Sequence, residues 1–323
     1  MHHLVRSFTL NLAGSRNSIT IKKIQALPRF IKFKAPPTFP ASFVTRVCIG
    51  YIYKTNVAQE VMCHLHLYPN LRELELQSIS FSRLRMKSLS KALDRFPPPP
   101  LRRLSLDEIS FTDSEHFLWF IGMPCFSAIS ALDMFKIDYE KGERGCGLFY
   151  WNHASFKHDP QFGGPSFATF LALRKGYRSA GSPTKDIVHL LGKSITEIEL
   201  PLCIETGLDF DPCLCPSLRR LSLECCSIDG NPSFSRLQLS KLTSLNILTH
   251  FSFRIGHLYS MKIASHWKDS PEDAKNEMIG RLDYALIPIS RMPSIQEISV
   301  PKLFDLELLV ESRRTGHLIT EKD

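Results

Sequence analysis

No apolar run in this 323-residue sequence reaches the ~18 residues that a membrane-spanning helix requires. The opening stretch Met1–Leu12 also lacks the core of an export signal, since Arg6 and Asn11 interrupt its short apolar run; it reads better as a β-strand. Catalytic signatures are missing as well: there is no nucleophile elbow, kinase signature or dinucleotide-binding fingerprint. Gly163-Gly164-Pro165-Ser166 has neither the Lys-Ser/Thr pair nor the preceding strand of a phosphate loop. His153 and His158-Asp159 are completed by no carboxylate or cysteine at a metal-ligand spacing. Cys213 and Cys215, followed by Cys225-Cys226, do not match paired CxxC motifs. We therefore expect no catalytic centre, no cofactor and no metal.

An odd count of nine cysteines, scattered and often beside large apolar residues, suits free thiols in a reducing compartment. Cytoplasm or nucleus is the expected location. A formal charge of +8 permits nucleic-acid contact, but a total does not say where charge sits. Hydrophobic residues at 43% and charged residues at 22% place the chain among folded proteins, not disordered ones.

What the sequence does contain is a recurring phrase. Leu71, Leu74 and Leu76 hold positions one, four and six of a short segment, and the same spacing returns at Leu101/Leu104/Leu106, Ile129/Leu132/Met134 and Ile195/Ile198/Leu200. It returns again at Leu218/Leu221/Leu223, Leu242/Leu245/Ile247 and Ile295/Ile298/Val300, with weaker copies at Val44/Val47/Ile49 and Val5/Phe8/Leu10. Five of the eight intervals between first positions are 23–30 residues, close to the period of leucine-rich repeats. Positions four and six alternate on one face of a strand and point into a core, and the residues between them point outward.

Helical segments are expected between these strands. Thr112-Asp-Ser-Glu115 forms a capping box ahead of Phe117–Ile121, and Ser270-Pro271-Glu-Asp opens a helix bearing Ile279, Leu282 and Leu286. Asn56 is placed to cap a helix with Val57, Val61 and Leu65, while Ser82–Phe96, carrying Leu84, Leu89 and Leu93, is stopped by Pro97–Pro100. Strand then helix, repeated in one direction, predicts an α/β fold: a single leucine-rich-repeat solenoid over 1–323, with a curved parallel inner sheet, outer helices and about nine to eleven irregular repeats. Two parts fall outside the pattern. Residues 138–194 read as an irregular insertion with short helices at Phe167–Leu173 and Asp186–Leu191, and 301–323 as a C-terminal cap and tail.

One stretch is more specific. Cys215-Pro216-Ser-Leu218-Arg-Arg-Leu221-Ser-Leu223-Glu-Cys-Cys226-Ser-Ile228-Asp229 resembles the cysteine-containing repeat of F-box/leucine-rich-repeat proteins of the fungal type, and Tyr68-Pro69-Asn70-Leu71 and the Phe96-led run to Leu101 resemble its lead-in. The resemblance implies the substrate-recognising half of a cullin-type ubiquitin ligase. An F-box would recruit the ligase adaptor, but the first repeat-like strand begins at about Val5 and leaves no room for one; Leu27-Pro28-Arg-Phe30-Ile31 is only faintly similar to an F-box opening, and Pro36, Pro37 and Pro40 interrupt it. Adaptor binding is thus expected only with an F-box upstream.

The outward strand positions make up the expected concave binding face. They carry Glu73, Glu75, Asp107, Asp133, Glu197, Glu199, Glu224 and Glu297, together with Arg46, Arg103, Arg220 and the aromatic Phe135. Eight carboxylates against three guanidiniums make this face acidic in a basic chain. A phosphate backbone needs the reverse, so the expected partner is a basic or mixed-charge protein segment. The alternatives are an orphan repeat protein without a ligase role and a nucleic-acid-associated protein using a basic convex side, with Lys22, Lys23, Arg29, Lys32 and Lys34 as its densest cluster and Phe30 and Phe33 available for stacking.

Overall fold

In the computed structural model the chain is α/β with predominantly parallel strands. The structure describes residues 8–11, 18–21, 44–50, 59, 62–81, 86–139, 154–158, 183–202, 208, 210–225, 238–255, 271–301, 309 and 316–320. It divides into two compact units, one of residues 1–151 and 158–186, the other of residues 152–157 and 187–323.

The first unit holds β1 (Phe8–Asn11), β2 (Ser18–Ile21), β3 (Arg46–Gly50), β4 (Glu73–Gln77), β5 (Arg103–Phe111) and β6 (Ala131–Tyr139), which lie side by side in chain order. From β2 onward neighbours are parallel and in register: Val47 faces Leu74, Leu74 faces Leu104 and Leu104 faces Leu132. Alternate residues of β4 are buried, as a strand with one face on a core requires. The expected copy at Val5/Phe8/Leu10 is corrected here: β1 runs antiparallel to β2, and it is Ile19 and Ile21 of β2 that face Val47 and Ile49 of β3.

Burial continues beyond position six. Ile79 and Phe81 after β4, and Ile109 and Phe111 within β5, are fully enclosed. Phe111 packs on Phe81 and Phe120 at ring-centroid distances of 5.4 and 5.6 Å and meets Phe117 edge-on at 5.2 Å. Two of those rings come from α2 (Ser114–Ile121), which lies between β5 and β6. All five residues Phe117–Ile121 are buried, so this short helix is held by packing on more than one side. Its cap is Asp113, whose side chain accepts from the His116 backbone N–H at 2.9 Å; the expected capping box begins one residue too early. Helix α1 (Met86–Arg95) buries Leu89 and Leu93 and ends just before Pro97–Pro100, as the proline run dictates. Phe96 is exposed, and Pro98 is buried three residues before Leu101, so proline and not the expected aromatic occupies the lead-in position there.

The second unit holds β7 (Ala154–His158) up to Lys157, then β8 (Ile195–Leu202), β9 (Arg220–Cys225), β10 (His250–Ile255), β11 (Glu297–Val300) and β12 (Leu318–Thr320), again in chain order. Strands β8 to β12 are parallel, with Ile198, Leu221, Phe251, Ile298 and Leu318 in one row. Three expectations change here. A strand, β7, lies in the region read as a loop with short helices, and another, β12, lies in the expected tail. The copy assigned to Leu242/Leu245/Ile247 is displaced by six residues: Leu239–Ser244 is a 3-10 helix, Ile247 is exposed, and the phrase in register with Leu218/Leu221/Leu223 is Leu248/Phe251/Phe253.

Connections in this unit are a mixture. Between β8 and β9 and between β9 and β10 the described helical segments are 3-10 turns (Pro212–Leu214, Leu239–Ser244), whereas β10 and β11 are separated by α4 (Glu272–Ser290), which buries Ile279, Leu282 and Leu286 as expected. Helix α3 (Pro183–Leu191) leads into β8, starting three residues before the expected Asp186. Gly192 follows it, with the Leu214 carbonyl oxygen only 2.4 Å from where a Cβ would stand, so a side chain is sterically excluded there.

The same backbone hydrogen bonds recur at most of the described crossings. Residues two and three of a phrase donate to the carbonyl of residue two of the preceding one: Arg72 and Glu73 to Thr45, Arg102 and Arg103 to Arg72, Thr249 and His250 to Arg219, Gln296 and Glu297 to Thr249; between β8 and β9 it is Arg219 that donates to Thr196. The N–H of residue one bonds back three residues to close a tight turn, as in Leu71 to Tyr68, Ile129 to Phe126, Leu218 to Cys215 and Leu248 to Leu245. The apolar lead-in residues Tyr68, Phe126, Cys215 and Leu245 are all buried under those turns.

The expected helices at Asn56–Leu65 and Phe167–Leu173 lie largely or wholly outside the described residues; Leu65 itself falls in a 3-10 turn, Leu65–Leu67. The F-box-like segment and residues 226–229 of the cysteine-containing stretch also lie outside them.

Candidate functional site

Parallel register places outward residues of successive strands side by side, about 4.8 Å apart. On the first unit this gives the rows Arg46–Glu73–Arg103–Ala131, Cys48–Glu75–Ser105–Asp133 and Gly50–Gln77–Asp107–Phe135. All six expected site residues of this unit therefore share one face. Their charges are largely satisfied within it. The Arg46 guanidinium donates to the Glu75 carboxylate and stands 4.0 Å from Glu73. That hydrogen bond, opposed by partial burial and reinforced by the two carboxylates, raises the pKa of Arg46. Arg103 reaches Asp133 Oδ2 through Nε at 2.7 Å and Nη2 at 2.6 Å, and the Asp133 carboxylate is nearly enclosed although its position faces outward. Gln77 donates its amide to Glu75.

On the second unit the rows are Glu197–Arg220–His250–Glu297, Glu199–Ser222–Ser252–Ser299 and Pro201–Glu224–Arg254. The five expected residues here also share one face. Arg254 Nη1 reaches Glu199 Oε1 at 2.9 Å, although the two are on β10 and β8 with β9 between them. The small Ser222 on β9 leaves room for that pair to span two inter-strand gaps.

Serines in the middle row open a groove of about 290 Å3. It is lined by the first row, Glu197 to Glu297, by Glu199, Ser222 and Ser252 of the middle row, and by Arg254 of the third. The Ser222 and Ser252 hydroxyl oxygens are buried and make no hydrogen bond among the described residues. His250 Nδ1 lies 2.8 Å from Thr249 Oγ1, which fixes the ring.

His250, Arg254 and the two groove serines were not among the residues the sequence singles out. The displaced phase at Leu242 hides His250, Ser252 and Arg254, and the alternation of buried Phe251 and Phe253 with outward residues is the signal that finds them; Ser222 is an outward position of the Leu218 phrase passed over because it is uncharged. With Arg254 included, the outward positions in these rows of described residues carry eight carboxylates and four guanidiniums, four and two on each unit.

Of the weaker candidates, His153, Asp159, Gly163–Ser166, Cys226 and the cluster from Lys22 to Lys34 lie outside the described residues, and His158 ends β7. Cys213 is exposed and Cys215 fully buried, so the two thiols face different surroundings. Among the described residues no three His, Cys, Asp or Glu side chains are grouped to hold a metal ion, and no helix is long and apolar enough to cross a membrane. No protein-family model matches the chain, and no curated protein matches it.

Proposed function

We propose that the chain is a leucine-rich-repeat solenoid of about nine to eleven irregular repeats whose outward sheet residues form a concave face that binds a basic or mixed-charge protein segment, and that it is an interaction module without catalytic activity. The observation that carries this reading is the row-by-row alignment of charged outward residues on consecutive parallel strands, with twice as many carboxylates as guanidiniums. A sheet face of this kind offers a partner a broad surface whose charge steers association and selects against acidic partners. It also disfavours a nucleic-acid partner on that face, because phosphate contacts require cationic side chains.

The phrase from Cys215 to Asp229, with its buried Cys215, supports the narrower assignment to the F-box/leucine-rich-repeat type. In that assignment the chain is the substrate receptor of a cullin-type ubiquitin ligase in cytoplasm or nucleus, and the adaptor joins through an F-box upstream. The test is affinity capture with the wild-type chain and with Glu73→Lys/Glu199→Lys. Partners bound through the face should drop from the variant eluate, and release by salt should come earlier for the wild type than for an apolar contact. Unchanged recovery of every partner would overturn the reading.

A further inference from the structure

The proline run between α1 and β5, residues 97–100, replaces the turn used elsewhere in the chain. Five phrases open on a tight turn in which the N–H of residue one bonds the carbonyl three residues back: Leu71 to Tyr68, Ile129 to Phe126, Leu218 to Cys215, Leu248 to Leu245 and Ile295 to Met292. Leu101 makes no such bond to Pro98 among the described residues, and the prolines enter β5 without a turn. Each proline ring fixes φ at about −65°, and each residue ahead of a proline is driven to an extended ψ. The peptide bonds of the run are trans. Pro97, Pro98 and Pro99, each followed by proline, are thereby held in the polyproline II conformation, with about three residues per turn. Burial follows that period: Pro97 and Pro100 are exposed, Pro98 is buried and Pro99 is half-buried. Pro98 takes the lead-in position under β5, which leaves the edge formed by Pro97 and Pro100 turned to solvent.

Phe96 stands at the head of this ridge. It is 44% exposed, yet its ring is held in place: it stacks on His66 at 5.0 Å between centroids, and the Arg95 guanidinium lies 5.1 Å from its centroid. Pro97 and Pro100 both line a groove of about 340 Å3, together with Leu93, Met123 and Cys125. That apolar lining suits a planar ring laid against proline, and aromatic side chains are what polyproline-reading grooves supply. Arg95 and Arg102 are exposed at the two ends of the run, against one exposed carboxylate, Asp94. We propose that residues 96–102 are a docking ligand for a second protein, a folded domain whose groove is lined by aromatic side chains and bordered by carboxylates. Its rings stack on Pro97 and Pro100, and its carboxylates pair with Arg102. The prolines are already fixed in the folded chain, so docking spends little on ordering them, unlike the docking of a flexible segment. The acidic sheet face takes no part, so this surface and the reading of that face stand or fall separately.

The test uses the full chain and a panel of purified SH3 domains, whose grooves are aromatic-lined, in two sets: with and without carboxylates bordering the groove. Biolayer interferometry should find members of the carboxylate-bordered set that bind the wild-type chain, and added salt should weaken them. Pro97→Ala/Pro100→Ala should weaken that binding at least about tenfold, and Arg102→Glu, at an exposed position, by a similar factor. Phe96→Asp keeps all four prolines, so it serves if the double proline variant melts early or does not fold; a carboxylate facing the acidic border should again cost about tenfold. Absence of binding by every carboxylate-bordered domain, equal binding by the two sets, or equal affinity of the wild-type, Phe96→Asp and Arg102→Glu chains would each overturn the inference. A domain whose binding falls with Glu73→Lys/Glu199→Lys and not with Phe96→Asp reads the sheet face; the assignment of the ridge then falls and the reading of the face stands.

Discussion

Ser78 and Glu108, thirty residues apart, both hold left-handed backbone angles, φ 50° and 54°, and the Ser78 hydroxyl donates to Glu108 Oε2 at 2.8 Å. Each is the eighth residue of its phrase, immediately before a buried isoleucine, Ile79 or Ile109. The left-handed residue turns the chain so that Ile79 and Phe81, and likewise Ile109 and Phe111, return to the core side after the outward Gln77 and Asp107. The Ser78 N–H then bonds the Asp107 carbonyl at 2.7 Å, and Phe81 N–H the Ser110 carbonyl at 2.7 Å, which keeps neighbouring phrases joined past the kink.

Left-handed backbone costs a residue with a Cβ about 1 kcal/mol and a β-branched residue more. Glu108→Gly should therefore hold or raise the urea midpoint despite losing the bond from Ser78, because the exposed bond contributes little and the strain is removed. Glu108→Val should lower stability by about 1–2 kcal/mol. Equal midpoints for the two variants would show that the kink is not fixed by backbone angle.

The displaced phrase makes a second comparison. Leu239, Leu242, Leu245 and Leu248 are spaced by three and all are buried, the pattern of a 3-10 turn in which every third side chain lies over the last. Spacing by three also begins the strand phrase, so Leu242 and Leu245 fit both and only the sixth position discriminates. Ile247 is 38% exposed, whereas Phe253 is 1% exposed. Phe253→Ala should cost about 3–5 kcal/mol, and Ile247→Ser should stay within about 0.5 kcal/mol. Thermal melts that rank the two the other way would restore the original phase.

That ambiguity explains how much the sequence could tell. Strands β3–β6, β8, β9 and β11 were legible because Leu, Ile, Val or Met at positions one, four and six coincide with burial, and so were the outward positions of the eleven candidate residues, placed by the alternation alone. Strand β10 was hidden by a better-looking leucine run just ahead of it, and His250, Arg254 and Ser252 went with it. Strands β2, β7 and β12 are short, and their residues, such as Ser18-Ile-Thr-Ile21 and Leu318-Ile-Thr320, have too few apolar positions for a period to be read. The pairing of Arg103 with Asp133 was not legible either, since which outward neighbours meet depends on register and side-chain reach.

Gly192 offers a steric prediction in the second unit. A Cβ there would meet the Leu214 carbonyl oxygen at 2.4 Å and its carbon at 3.1 Å, and both are backbone atoms that cannot rotate aside. Gly192→Ala should cost about 1–3 kcal/mol through forced backbone shifts. Gly280, with open space around it on the exposed side of α4, is the control: Gly280→Ala should stabilise by about 0.5–1 kcal/mol from helix propensity. A Gly192→Ala chain as stable as wild type would mean that the two turns are not in close contact.

Cys215 gives the pH dependence. Its thiol is wholly enclosed, and burial, with a smaller contribution from the Asp211 carboxylate, pushes its pKa from 9.0 up to about 12. The raised value means that the folded chain keeps this proton after the unfolded chain has lost it. Its stabilising contribution is thus complete below about pH 9 and is lost as pH rises toward 12, at a slope of about 1.4 kcal/mol per pH unit between the two. Tyr68 and Cys125 are shifted upward by burial as well, so alkaline unfolding of the wild type alone does not isolate Cys215. The informative quantity is the difference in urea midpoint between wild type and Cys215→Ala, measured from pH 8 to pH 11. That difference should be constant up to about pH 9 and then shrink, as the wild type loses stability that the alanine variant never had. The same burial should leave Cys215 unmodified by a thiol reagent at pH 8 under conditions that label the exposed Cys213. A difference that stays flat to pH 11, together with ready labelling of Cys215, would show that the turn between Pro212 and Leu218 opens to solvent in the folded chain.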